Sequence, residues 1–216
     1  KLSQRIRTPQ IAHIHFDMLN SLTSNKIIIP ITKIITVSNY LYSKANTDIQ
    51  KRCITVHNGI DLSKFQRLGV NKRDNYRKSF HIEQTDTVLV YSGRIDPIKG
   101  VKELIEALKI VNDTSIKLLI IGGSFYGGQK NSNDYVKTVY ELSATIKDQI
   151  ILTGFQPYSK IPELLSIGDI AVIPSLCDDA FPTTTLEAMA IGLPIIASRR
   201  GGIPEQLGED NAILID

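Results

Sequence analysis

The segment Gly93-Arg94-Ile95-Asp96-Pro97-Ile98-Lys99-Gly100 sets two cations, Arg94 and Lys99, among glycines, at the point where a short apolar run gives way to helical periodicity. Glycines let a backbone come close to a ligand, and the N-terminus of a following helix adds outward N–H groups to the two fixed charges. Such a site suits anionic oxygens, a diphosphate foremost. An ordinary basic β-α surface loop has the same composition, so this segment alone leaves both readings open.

A second constellation is Asp178-Asp179-Ala180-Phe181-Pro182-Thr183-Thr184-Thr185-Leu186-Glu187. Were residues 179–187 all helical, Asp179 and Glu187 would stand about 12 Å apart along the axis, too far to share one sugar ring. Asp179 is therefore expected on a loop. Pro182, Thr183 and Thr184 then open a helix, the N–H groups over Phe181 to Thr184 face hydroxyl or phosphate oxygens, and Glu187 follows within the first turns. A carboxylate accepts two hydrogen bonds at once and so fits the vicinal diol of a ribose or adjacent hydroxyls of a hexose. A capped helix with an early, dipole-compensating Glu is the plainer alternative.

The elements that must position these residues follow from periodicity. From residue 87 onward, short apolar runs alternate with longer helical patterns, the signature of β-α units and a parallel sheet. Strands are expected at 87–92, 117–121, 149–152, 169–173, 194–197 and 212–215. Between them Val101, Leu104, Ile105, Leu108 and Val111 share one helical face, and Val136, Val139, Leu142 and Ile146 share another. Right-handed crossovers put such helices on both faces of the sheet and leave the strand carboxyl ends free as a ligand edge. Upstream, Ile34 to Val37 and Cys53 to Val56 read as strands joined by one helix over Asn39 to Ile49, with Ser38 as N-cap, and a further short strand ends near His15. A boundary is expected near Asn58 to Phe65, before the polar stretch 70–86, and the glycine-rich, polar Gly122 to Asn133 reads as a mobile loop.

At 216 residues and 42% hydrophobic, the chain can bury one full core and part of a second. Its formal charge of +3, from 25 basic and 22 acidic residues, is far from the dense positive field of a nucleic-acid binder, so no nucleic acid is expected. The apolar run from Ile27 to Val37 is broken by Pro30, Thr32 and Lys33, short of a membrane span. Cys53 and Cys177 form no C-x-x-C pair, which fits a reducing, cytoplasmic setting and two small buried hydrophobes. The chain opens on Lys1 rather than Met and stops at Asp216, directly after an apolar run, so both ends read as cut.

Taken together, Val56-His57-Asn58-Gly59-Ile60-Asp61, Tyr91-Ser92-Gly93-Arg94, Lys99-Gly100, Thr153-Gly154-Phe155, Pro174-Ser175, Glu187-Ala188-Met189-Ala190, Gly192, Pro194 and Gly201-Gly202 strongly resemble family 4 of the retaining glycosyltransferases. The resemblance covers nearly the whole chain. It implies an α/β, GT-B architecture of two Rossmann-like domains, each a parallel sheet with helices on both faces, around a cleft. Residues 1–65 would be the end of the N-terminal, acceptor-binding domain plus linker. Residues 66–216 would be the nucleotide-sugar donor domain, lacking its closing C-terminal helix. Peripheral contact with the inner face of a membrane would run through the rest of the N-terminal domain.

By the same resemblance Arg94 and Lys99, beside Gly93, grip the donor diphosphate, and Glu187, the second acid of the family's E-x7-E signature, holds the ribose. Asp179 matches the first acid, facing the transferred sugar, and Phe181, Pro182 and Thr183 match the loop whose amides surround that sugar, with Thr184 next to it. Phe155 matches the position beside the nucleotide base, where stacking, backbone contact or plain packing would each serve. His15 matches an N-domain histidine at the strand end facing the donor sugar. Two positions depart from the pattern. Asp179 stands where Glu is usual, which sets its carboxyl about 1.5 Å further back, and Pro182 stands where Gly is usual.

The expected reaction is transfer of a hexosyl residue from a nucleotide-diphosphate sugar, UDP by preference, to a glycan or lipid-linked acceptor. Retention of configuration follows from the resemblance alone. No metal cofactor is expected, because no D-x-D pair occurs, Arg94 and Lys99 can neutralise the leaving diphosphate, and His13 and His15 have no Cys near them in sequence. Two other readings share these residues: a sugar-nucleotide epimerase, which a rearranged sugar in place of a new glycoside would reveal, and a fragment that binds nucleotide without transfer.

Overall fold

A computed structural model describes residues 9–16, 31–123 and 134–216. The larger sheet holds β4 (Thr87–Ser92), β5 (Ile116–Ile121), β6 (Ile150–Gly154), β7 (Ile170–Ile173), β8 (Ile195–Ser198) and β9 (Ile213–Ile215). Its order is β6-β5-β4-β7-β8-β9 with every neighbouring pair parallel. Numbered from β4, that is the doubly wound order 3-2-1-4-5-6 of dinucleotide-binding folds. The chain reverses its winding direction between β4 and β7, and loops leaving those two strands face each other across a crevice.

Both faces of this sheet are buried, which is why its strands are nearly continuous apolar runs. Leu118 and Ile120 of β5 pack toward α4 (Val101–Val111) and α5 (Asp134–Thr145), while Leu119 and Ile121 pack on the other face with α6 (Ile161–Leu165), α7 (Thr183–Ile191) and α8 (Ile203–Leu207). Ile60 and Phe65 already belong to that second core. A smaller parallel sheet, β1 (Ile11–Ile14), β2 (Lys33–Thr36) and β3 (Cys53–Thr55), carries its own core around Ile34, Val37, Leu41 and Ile49. Ala180 and Phe181, from the loop after β7, are buried in that smaller core.

Two local expectations are corrected, and one helix forms that the pattern did not announce. The single helix over Asn39 to Ile49 is two, α1 (Asn39–Lys44) and α2 (Thr47–Gln50), because Ala45 is extended and Asn46 caps a new start by accepting from Ile49 N at 3.0 Å. Ser38 does cap α1, accepting from Leu41 N at 3.1 Å. The polar stretch from residue 70 contains a helix, α3 (Val70–Ser79), that has no apolar stripe to announce it. It is fastened by ions instead: Asp169 accepts from Arg73 at 2.5 Å, from buried Arg77 at 3.1 Å and from Val88 N at 2.8 Å. Ile146 lies past the end of α5 rather than within its helical face. Of the loop expected over Gly122 to Asn133, residues 124–133 lie outside the described residues. Among the described residues no helix is long and apolar enough to cross a membrane.

Candidate functional site

At the crevice the loops after β4 and β7 are joined by backbone and by charge. Leu176 N donates to Ile98 O at 2.9 Å, and Gly100, with φ +70°, lies so close to Pro174 that a Cβ there would come within 1.9 Å of the Pro174 carbonyl oxygen. Only glycine permits both. Asp96 opens a 3-10 turn over Pro97–Lys99, its Oδ1 accepting from Ile98 N at 3.2 Å, and its Oδ2 accepts from Arg94 Nη1 at 3.3 Å. Tyr91 anchors the same turn by donating to Arg94 O at 2.5 Å, and burial pushes its phenol far above the usual range, so it remains a donor. Lys99 forms an ion pair with Asp179, whose Oδ2 also accepts from Ser175 Oγ at 3.3 Å. The resemblance gives Lys99 to the diphosphate and Asp179 to the sugar; in the structure they are each other's partner.

Beside this junction lies a cavity of about 410 Å³ at the carboxyl ends of β4, β5 and β6. Gly93 and Arg94 form one wall, Gly122 and Gly123 bring backbone to the floor, Phe155 and Tyr158 face it from the β6 side, and Thr183 and Glu187 close it from α7. Thr183 and Glu187 share one face of the helix by their i,i+4 spacing. Phe155 is 65% exposed, an open ring rather than a packed one. Lys99 and Asp179 are not among the lining residues.

Glu187 is only 4% exposed. Burial raises its pKa above the ordinary carboxylate value, against the opposing hydrogen bonds of Tyr158 and Thr183. The helix it sits on begins at Thr183 with Pro182 as N-cap and no side-chain cap, so the first-turn N–H groups of Thr183, Thr184 and Thr185 are left toward the loop. Pro182, lacking an N–H, adds shape but no donor. Phe181 turns its ring away into the smaller core, stacked on His57 at a centroid distance of 4.6 Å.

Loop 179–182 is pinned through its carbonyls: Gly202 N donates to Asp179 O at 2.7 Å, Asn58 Nδ2 to Phe181 O at 3.1 Å and Gln206 Nε2 to Pro182 O at 3.0 Å. Gly201-Gly202, part of the family pattern, meets this loop's backbone; a Cβ on Gly201 would lie 2.1 Å from Asp179 O.

His15 is exposed just past β1, its ring 4.2 Å from that of His13, and partial burial together with His13 lowers its pKa. It belongs to the smaller sheet, which contributes none of the cavity-lining residues. Among the described residues no group of three or more His, Cys, Asp or Glu side chains could hold a metal ion. Sequence reasoning missed Asp96, Ser175 and Tyr158, which hold Arg94, Asp179 and Glu187. For Asp96 the signal was present, since Asp-Pro commonly starts a turn that the Asp side chain caps; Ser175 stood in the family pattern without a role, and for Tyr158 there was no signal.

A doubly wound sheet with a glycine-lined, cation- and carboxylate-bearing cavity at its switch point belongs to the nucleotide-binding α/β class. Residues 72–216 match the family described as glycosyl transferases group 1, and the chain belongs to that family, with a fold of the GT-B type. The chain is 30% identical over 198 residues to the lipopolysaccharide 1,2-N-acetylglucosaminetransferase of Salmonella typhimurium, covering 90% of this chain and 50% of that protein. It is 28% identical over 201 residues to spore coat protein SA of Bacillus subtilis, covering 90% and 53%. The chain therefore spans about half the length of these relatives. Among solved structures, Anabaena Alr3699/HepE in complex with UDP and glucose superposes with a TM-score of 0.82 at 22% identity, over 97% of this chain and 58% of that one. The sucrose-phosphate synthase of Thermosynechococcus elongatus gives 0.79 at 18% identity, over 99% and 56%.

Proposed function

We propose that the protein carrying this chain transfers a hexosyl residue from a UDP-sugar to a glycan or lipid-linked acceptor, with retention of configuration and without a metal ion. The observation that carries the reading is the cavity itself. Its lining brings together a cation at a glycine turn, a buried carboxylate and an open aromatic ring, the three groups that a diphosphate, a ribose and a base require. Arg94 and Lys99 take the place of a cation on the diphosphate, Lys99 after leaving Asp179. Glu187 holds the ribose hydroxyls, and Asp179 with the amides of Phe181, Thr183 and Thr184 faces the hexose.

In the transfer, the bond from the sugar anomeric carbon to the diphosphate oxygen breaks and one to the acceptor oxygen forms on the same face. The acceptor proton passes to the departing phosphate. The two cations stabilise the charge that builds there. Domain closure onto the smaller sheet would bring His15 to the sugar. A UDP-glucose-bound structural relative and a lipopolysaccharide transferase relative support the donor and acceptor classes. We place the reaction in the cytoplasm, with peripheral membrane contact through the acceptor-binding half.

The test is product analysis from a panel of nucleotide sugars with glycan and lipid-linked acceptors, in the presence of chelator. Released UDP with a new glycoside of unchanged anomeric configuration is expected. A rearranged sugar without glycoside, or strict dependence on metal, refutes the reading.

A further inference from the structure

Glu205, in the first turn of α8, reaches across to the smaller sheet's unit. Its Oε1 accepts from Asn39 N at 2.8 Å and its Oε2 from Tyr40 N at 3.1 Å, so a side chain of the larger unit caps α1 of the smaller one. Oε1 also accepts from His57 Nε2 at 2.7 Å. Burial alone would raise the pKa of Glu205, but the Asn39 and Tyr40 N–H groups and His57 hold it below the usual carboxylate value, so it is ionised when it makes these bonds.

The imidazole held this way lies flat on Phe181, 14° from parallel, and the next residue, Asn58, grips Phe181 O. The following residue of α8, Gln206, grips Pro182 O. One short helix thus ties the two units together and, through His57 and Gln206, holds the backbone of loop 179–182.

We propose that Glu205 is a positioning residue for the sugar-facing loop: it fixes His57 against Phe181 and thereby the orientation of the Phe181 to Thr184 amides, with no contact to the ligand itself. The consequence for ligand rests on the proposed UDP-sugar function. The clamp on the loop does not, and the experiment separates the two.

In the 216-residue chain, Glu205→Ala is compared with wild type by amide hydrogen exchange without ligand and by titration with UDP and with UDP-glucose. Faster exchange is expected at Asn39 and Tyr40, which lose their acceptor, and at Gly202, whose bond to Asp179 O reports on the loop. UDP affinity should stay within about twofold, since Arg94 and Glu187 are untouched, while UDP-glucose affinity falls about fivefold or more, the effect of misplacing a loop amide whose hydrogen bond to the sugar contributes about 1 kcal/mol. Glu205→Gln, which keeps the volume and one acceptor oxygen, should recover part of the difference. That rescue and the split between the two ligands are what general destabilisation would not produce.

Unchanged exchange at Gly202, or equal loss for both ligands, overturns the proposal. If wild type binds neither ligand, the proposed function fails while the ligand-free exchange still judges the clamp. Should Glu205→Ala not fold, His57→Phe keeps a ring on Phe181 and deletes only the bond to Glu205. It is then expected to accelerate exchange at Gly202, and an unchanged rate overturns the proposal.

Discussion

Replacing Asp179 by Asn should move the affinities for UDP and for UDP-hexose in opposite directions. Lys99 is neutralised by Asp179 in the structure, so a diphosphate can claim this cation only by separating the pair. Both side chains are about four-fifths covered, at 20% and 23% exposed, which puts the pair above a surface salt bridge but short of a buried one. Releasing Lys99 should then be worth about 1 kcal/mol to the phosphate, or about fivefold in UDP affinity. The same substitution removes the charged acceptor facing the hexose, and a hydrogen bond to a charged group contributes about 1.5–3 kcal/mol, so UDP-hexose should bind about tenfold or more weakly relative to UDP. Titration calorimetry of both ligands against both proteins gives the comparison directly. If Asp179→Asn weakens UDP as much as it weakens UDP-hexose, the ion pair is not the gate to Lys99 and the assignment of Asp179 to the sugar is wrong.

Lys99→Ala should lower kcat about a hundredfold with a smaller effect on donor affinity, because charge on the leaving diphosphate grows in the transition state; single-turnover kinetics at saturating donor that stay within a fewfold of wild type would reduce the loop to a basic surface turn. Glu187 has a raised pKa and must be ionised to accept from ribose hydroxyls, so UDP affinity should be lost as pH falls through that raised value, above the ordinary 4.5, and Glu187→Gln should flatten the profile. Burial alone would raise Asp169, but the Val88 N–H and the two arginines depress it, so its stabilising contribution is fully present above 3.8 and is lost as pH falls toward the depressed value. Asp169→Ala removes the carboxylate from buried Arg77, which keeps only its bonds to the Ile167, Glu83 and Asp86 carbonyls, and should cost about 3 kcal/mol in urea unfolding at neutral pH, a loss that a result below about 1 kcal/mol would contradict.

How much of this was legible in the sequence follows from how local each cause is. β4 and β5 announce themselves because a parallel sheet buried on both faces needs uninterrupted apolar runs, and α4 because one of its faces meets that sheet. α3 does not, because its stability comes from Arg73 reaching Asp169, 96 residues away, and no window of sequence contains both. The break between α1 and α2 was signalled by Asn46, a good N-cap, but Leu41 and Ile49 kept a helical period across it and masked the interruption. In the site, Arg94, Lys99 and Glu187 stand out by glycine and helix-start spacing. The pairing of Lys99 with Asp179 depends on β4 lying beside β7, a fact of topology. Glu205 carries no local sign of its role, because its partners Asn39 and Tyr40 lie 166 and 165 residues away.

The central claim is that the cavity beside Arg94 and Glu187 binds a uridine diphosphate with protein cations in place of a metal. Titration of UDP into the 216-residue chain, with and without excess chelator and again in Glu187→Ala, tests it most directly. Chelator should change the affinity by less than about tenfold, or 1.4 kcal/mol, and Glu187→Ala should weaken binding of UDP itself. Absence of UDP binding, a loss beyond tenfold on chelation, or an unchanged affinity in Glu187→Ala would contradict the account.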